Sequence, residues 1–310
     1  MGVIYVVAGV LLWSAIPLLI KQVVPPFDPR WVAMLRLALG TGFLLIAERF
    51  LSARLAAVPP RRRWRGRELA LLILAGVSLG ADYLLYTAGI ARTTASAGNL
   101  IVQIEIVALC LWGLLILRES VGAAKLSGMA LCFGGVFLVA WNGQSLHGLA
   151  RSEYFAGNLL VAAGGLCWSV YALGQKMLLA DRGTGETVVP IMAIGALMAG
   201  MVAVFVSPVQ QPPTTAQWLW LVVLGCLCTG LAYLLIVRGL RQLEASHVAL
   251  LATLNPVFTM IEAHFLLGER LTGFILGGAA LVVGGVVLMV ILPSPAARSL
   301  AAAGPDDPAT

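Results

Sequence analysis

Apolar residues in this chain do not alternate with polar ones and do not form narrow stripes. They run almost unbroken, each run closed by charges, prolines or glycine clusters. Runs of about 20 residues are long enough to cross a hydrocarbon core of about 30 Å as helices. Ten such helices are predicted, over 2–20, 29–47, 69–91, 96–116, 122–141, 157–179, 187–206, 217–237, 245–267 and 272–292. The expected fold is an all-α polytopic membrane protein. The connections leave no room for a soluble catalytic domain, so function falls to helices packed inside the bilayer. The opening "MGVIYVVAGVLLW" reads as the first helix rather than as a cleaved leader, and residues 294–310 as a disordered cytoplasmic tail.

The chain also matches itself. Shifted by 150 positions, "GADYLLYTAGIARTTAS" falls on "GLAYLLIVRGLRQLEAS", pairing Gly80 with Gly230, Tyr83 with Tyr233 and Ser96 with Ser246. The match continues downstream, where Glu119 meets Glu269, Gly128 meets Gly278 and the Gly-Gly-Val at 134–136 meets that at 284–286. With a shift of 155, Trp13, Ser14 and Lys21 fall on Trp168, Ser169 and Lys176. Two repeats follow, 1–145 and 152–293, each of five helices. Five is odd, so the repeats are inverted, a construction that lets a carrier expose one central site to each side in turn.

These residues resemble the EamA-type members of the drug/metabolite transporter (DMT) superfamily: "LRES" and "LGER" before Gly-rich helices, "WS" in the first helix and "LNPVF" in the ninth. The resemblance covers nearly the whole chain. It implies ten helices, a cavity lined mainly by helices one, three, four, six, eight and nine, and transport of small metabolites. One departure stands out. Asn255-Pro256 matches the family's helix break in the ninth helix, whereas the aligned residues of the fourth are Glu105-Ile106, so a matching proline kink is not implied there.

Composition narrows the choice of function. Hydrophobic residues make up 60% of the chain and charged ones 11%, against roughly 25% charged in soluble domains. The net charge of +6 does not point to nucleic acid, because seven arginines (Arg49, Arg54, Arg61, Arg62, Arg63, Arg65 and Arg67) crowd into the connection between helices two and three. The positive-inside bias makes that connection cytoplasmic and places both termini inside a cell inner (plasma) membrane. Five cysteines lie within predicted helices as small packing groups, without the His/Cys set of a zinc site. The three histidines lie at scattered depths and complete no Ser/His/Asp set, so neither an enzyme nor a metal site is expected, and no cofactor. A small-multidrug-type antiporter would place an acid in the first helix, and helices one and six contain none.

Ionisable groups at mid-bilayer are expensive to insert and normally face a bundle interior or a wet cavity. Glu105 is at the centre of helix four and Asp82 near the middle of helix three, where Ser78, Asp82 and Tyr86 recur every four residues. Arg36 in helix two is the expected counter-ion for one of these acids. As a structural alternative, each acid is permanently protonated or paired with Arg36 and touches no substrate. Trp13, Trp168, Tyr83 and Tyr233 are candidate contacts for an amine, worth about 0.5–2 kcal/mol against a ring, or helix packing groups. Asn255 is a further polar candidate, with Pro256, Lys21 and Lys176 as gating candidates, although lysines near helix ends also snorkel. Asn99 and Gln103 are expected to point away from Glu105. Glu262, His264 and His247 are secondary.

The expected function is secondary transport of small polar metabolites, with export of amino acids or related amines by alternating access. Proton exchange through Glu105 or Asp82 is the candidate coupling. The alternative is an uptake carrier for an organic cation such as a quaternary amine. The partners are a small-molecule substrate and the lipid bilayer, not nucleic acid, with the chain as monomer or homodimer.

Overall fold

A computed structural model describes residues 1–24, 27–52, 63–116, 122–143, 152, 154–179, 182, 184–206, 212–243 and 245–291. Arg54, Arg61, Arg62, Glu119, His147 and the segment 294–310 lie outside the described residues.

The described residues form ten apolar helices, each long enough to span a membrane. In chain order they are α1a (Gly2–Ser14) and α1b (Ile16–Val23), α2 (Pro29–Ser52), α3 (Gly66–Ile90), α4a (Ala95–Ile101) and α4b (Ile104–Leu115), and α5 (Ala123–Trp141). The second half holds α6 (Phe155–Leu179), α7 (Thr184–Val206), α8a (Thr215–Val222), a π-helical segment (Val223–Leu231), α8b (Ala232–Leu240), α9a (Ala245–Ala252), α9b (Leu254–Leu267) and α10 (Gly273–Ile291).

Local chemistry sets the ends. The Glu68 carboxylate accepts the Arg65 N–H at 2.8 Å at the start of α3. Thr94 accepts the Ala97 N–H at 3.1 Å ahead of α4a, and Thr214 with Gln217 forms a reciprocal capping box ahead of α8a. Gly268, at φ 66°, ends α9b in the left-handed region where a side chain would be strained.

Glycines set how closely the helices approach, as small residues do in lipid, where apolar burial gives helices no mutual preference. A Cβ on Gly128 would stand 2.6 Å from the Gly285 carbonyl, and one on Gly135 would stand 2.6 Å from that of Gly278, so α5 and α10 run antiparallel, backbone against backbone. The glycine faces of these two helices are therefore used inside the chain.

Antiparallel contact recurs between α4 and α9, where Ala95 and Ser96 meet Glu269 while Asn99 meets Asn255. Other contacts come in exchange-related sets: α3 packs on α6 as α8 packs on α1, and α3 on α7 as α8 on α2. Equivalent helices running in opposite directions are what two upside-down copies produce.

Four helices are interrupted. In α9 the break falls at Thr253, three residues before Pro256, whose ring cannot accommodate a straight carbonyl ladder at residue 252. The break in α4 falls at Val102–Gln103, the matching place, with no proline. There the Glu105 and Ile106 N–H groups donate to the carbonyls three residues back, at 3.0 Å each. Gly165 of α6 makes room, since a Cβ there would stand 2.7 Å from the Val102 carbonyl. Both halves are thus kinked at the same level, by proline in one and by helix contact in the other. The remaining interruptions are at Ala15 in α1 and the π segment of α8.

Candidate functional site

A cavity of about 820 Å³ opens between the two halves. Its walls include Asp82, Tyr83 and Tyr86 of α3, Glu105 of α4b, Trp13 of α1a, Trp168 and Lys176 of α6, Tyr233 of α8b, Asn255 of α9b and Arg36 of α2. Ten of the sequence candidates are therefore brought around one space, and α2, α7 and α10 add wall residues beyond the six helices expected.

Three candidates are not in it. On α3 the lining face is Leu79, Asp82, Tyr83 and Tyr86, an i, i+3, i+4, i+7 set, and Ser78 sits about 90° from its centre. Pro256 is buried and shapes the break in α9 without reaching the cavity. Lys21 lies at the far end of α1b, in electrostatic range of Glu269. Lys176, its counterpart, lines the mouth instead.

Among the described residues, the cavity opens toward the end that carries the N-terminus. Its walls reach Leu179, Leu240 and Arg241, exposed residues where α6 and α8 end on the side that carries the N-terminus. At the other end, Ile16 and Asn99 are its last residues, and beyond them the bundle is shut by buried Leu18, Ile20, Ala95 and Ala263. The Glu269 carboxylate adds a polar fastening there, accepting the Ala95 and Ser96 N–H groups at 2.6 and 3.0 Å at the positive end of α4a.

Arg36 differs from its expected role. Its Nε donates to Thr229 Oγ1 in the π segment at 3.0 Å, and its guanidinium lies 4.3 Å from the centre of the Tyr83 ring. No carboxylate stands within ion-pair distance of it among the described residues, although Asp82 remains in its field. Thr229 can serve Arg36 because its own hydroxyl proton goes to the Leu224 carbonyl five residues back, at 2.9 Å, the spacing of a π turn. Cation and carboxylates thus face one space without neutralising each other.

Asp82 is held against α6 by a glycine: a Cβ on Gly164 would stand 3.2 Å from its Oδ1. Adjacent glycines 164 and 165 therefore seat both acidic positions, the first at Asp82 and the second at the break that precedes Glu105.

Asn99 and Gln103 line the same space as Glu105, against the expectation that they point away. That expectation assumed one continuous helix, and the break at Val102–Gln103 turns the two segments relative to each other. Asn99 donates to Asn255 Oδ1 at 2.9 Å and also bonds Thr259, whose hydroxyl reaches the Ser14 carbonyl at 2.9 Å. This polar bridge joins α4, α9 and the break in α1.

Sequence reasoning missed Tyr171, Gln175, Gln103 and Thr229 as wall residues. Trp168, Tyr171 and Gln175 recur at one face of α6, a signal available from spacing alone. Tyr171 packs edge-on to Trp168 at 5.9 Å, and Gln175 Nε2 donates to the Tyr233 hydroxyl at 3.0 Å. The cysteines are all free thiols.

Comparison with known proteins gives one consistent picture. The EamA-like transporter family matches residues 1–141 and 155–291. An uncharacterized transporter of Archaeoglobus fulgidus is 32% identical over 288 residues, covering 90% of this chain and 93% of its own. YyaM of Bacillus subtilis, an uncharacterized transporter, is 25% identical with 87% of each chain covered. YhbE of Escherichia coli K12, an uncharacterized inner membrane transporter, is 23% identical over 86% of this chain and 81% of its own. A crystal structure at 20% identity shares the fold, with a TM-score of 0.66 over 94% of this chain and 99% of that one.

Proposed function

From the premise that the chain belongs to the EamA-like transporter family and is a multi-pass membrane transporter, we propose that it exports amino acids or closely related amines by alternating access. The observation that carries this reading is the presence of both kinds of group in one cavity: Asp82, Glu105 and Arg36 all line it, with no ion pair between them. A zwitterion needs a partner for each of its charges, and aromatic walls suit an amphiphilic body. The arginine-rich connection supports a cytoplasmic N-terminal side by the positive-inside bias, and a mouth on that side is where an exporter loads.

Proton exchange through Glu105 or Asp82 is the coupling we favour. A carboxyl group that binds either a proton or an ammonium makes the two competitors, which is the condition for antiport. Wild-type protein and Arg36→Gln should be compared in proteoliposomes with radiolabelled leucine and with choline. Leucine flux by wild type and its loss in Arg36→Gln support the reading. Choline flux that survives Arg36→Gln would favour uptake of an organic cation instead.

A further inference from the structure

Outside the cavity, one more intramembrane acid has a defined hydrogen-bond setting. Ser14 ends α1a, and its hydroxyl oxygen stands 2.8 Å from the Leu11 carbonyl and 2.7 Å from Glu262 Oε1 of α9b. A serine hydroxyl has one proton and can give it to only one of these. The other half of the molecule indicates which. Ser169, aligned with Ser14, has its oxygen 2.6 Å from the Leu166 carbonyl and accepts the indole N–H of Trp112 at 2.9 Å. Trp112 occupies the position equivalent to Glu262, 150 residues earlier. An indole N–H only donates, so the Ser169 proton goes to Leu166.

Applied to its twin, the same pattern sends the Ser14 proton to Leu11. The break at Ala15 makes that bond useful: the Ala15 N–H turns to the Trp13 carbonyl, leaving Leu11 without its usual helical donor. Glu262 then has to be the donor to Ser14, as Trp112 is to Ser169, and a carboxyl group donates only when protonated. Its second oxygen agrees, because Oε2 is buried with no hydrogen-bond partner. A neutral carbonyl tolerates that far better than a carboxylate oxygen does.

The surrounding charges do not offset an anion. Lys21 of α1b is drawn to Glu269, and His264 of α9b turns its Nδ1 to the Glu269 carbonyl at 2.9 Å. Tyr5 of α1a and His247 of α9a are the other titratable groups on elements packed here, while α4a and α10 contribute none. Across from α9b, the π segment brings Cys228, which lies in the fields of both Glu262 and Arg36.

We propose that Glu262 is a proton-binding site separate from the cavity, holding both hydrogen bonds at the break in α1 together when protonated and forcing one of them to be given up when the proton leaves. On release the carboxyl O–H bond breaks, the electron pair stays on the carboxylate and the proton passes to water. The carboxylate can then only accept, so it competes with Leu11 for the single Ser14 proton, and one of the two bonds is lost. The change reaches the cavity by a short route. Trp13 and Ile16, on either side of Ser14, line it, and the Ser14 carbonyl holds Thr259, which is bonded to Asn99.

The coupling half of this proposal rests on the carrier reading, whereas the protonation half does not. Infrared spectra of the protein in liposomes at neutral pH test protonation without any substrate. Glu262→Gln should remove one protonated-carboxyl C=O band, and Ser14→Ala should shift that band by removing its hydrogen bond while leaving Glu262 in place. Loss of a carboxylate band instead, or a spectrum of protonated carboxyls unchanged in both variants, overturns the assignment. For coupling, radiolabelled leucine flux is compared with and without a pH gradient. Glu262→Gln keeps a donor at the same place, so exchange should persist while the ratio of the two fluxes falls to one. A ratio equal to wild type overturns the coupling role. Absence of flux in wild type itself would count against the amino-acid reading and leave the infrared result standing.

Discussion

Asp82 and Gly164 meet face to face across the contact between α3 and α6, where a methyl group would fit only tightly: a Cβ on Gly164 would stand 3.2 Å from the carboxyl oxygen and 3.2 Å from the Tyr86 nitrogen. The acid is placed by an absent side chain. Gly164→Ala should spread the two helices slightly and cost about 1–3 kcal/mol, the usual range for overpacking. Substrate affinity should fall more than expression does. Thermal unfolding in detergent, with and without a bound amino acid, separates the two effects; unchanged ligand stabilisation would show that Asp82 does not depend on this contact.

The neighbouring position carries a sharper expectation. A Cβ on Gly165 meets a backbone carbonyl, that of Val102, at 2.7 Å, and a backbone cannot swing aside as a flexible side chain can. Gly165→Ala should therefore disturb the break in α4 and reduce transport more than Gly164→Ala does. Flux per mole of folded protein, measured for both variants in parallel, decides the order.

Arg36 owes its place to Thr229 rather than to an acid. Thr229→Val keeps the side-chain shape and removes the acceptor, with an expected loss of about 1.5–3 kcal/mol for a hydrogen bond to a charged group. The freed guanidinium should then move toward Asp82, its nearest charge-complementary neighbour in the cavity. Weaker binding of a zwitterion follows, visible as a raised KM; a KM equal to that of wild type would mean Arg36 does not need this anchor.

Glu269 fastens one end of the bundle. It holds two backbone N–H groups of α4a at the closed end, and Glu269→Ala should favour the opposite conformation by about 1.5–3 kcal/mol, tenfold or more in population. The readout is maleimide labelling of Gln175→Cys in a background where the five native cysteines have been replaced. Labelling from the N-terminal side should fall in the double variant, and equal labelling would remove Glu269 from the gate.

At the N-terminal side, Arg182 is buried between α3 and α7, donating to Glu68 and the Arg63 carbonyl, both at 2.9 Å, and lying 3.7 Å from the Trp64 ring centre. Glu68→Gln removes its main countercharge. The expected loss is about 3 kcal/mol, the low end for a broken buried pair, because Glu186 stays within 3.7 Å. Thermal unfolding checks it, and a loss below 1 kcal/mol would mean the carbonyl and ring suffice.

The helices were legible because a bilayer fixes their length, so unbroken apolar runs locate them within a few residues. The repeat was legible in paired landmarks, and Trp13 with Trp168, or Tyr83 with Tyr233, do line one cavity. What sequence could not supply was the orientation of residues beyond a break. A regular helix through Val102 turns Asn99 away from Glu105, and no proline announces the break that brings it round. The Arg36 partner was hidden for a similar reason: Thr229 presents its oxygen from a π turn, and nothing in "GCLCTG" marks that turn. Ser78 was included by a four-residue period that drifts off a face over two turns.

The glycine contact between α5 and α10 has a property that no other pairing in the bundle shares so plainly. Exchanging the halves turns Gly128 against Gly285 into Gly278 against Gly135, which is the other half of the same contact. In a carrier whose two end states are mirror roles of its repeats, a contact that maps onto itself must look the same in both. On the alternating-access reading this seam is the axle, and a covalent bridge across it should leave turnover intact where a bridge nearer the mouth would stop it.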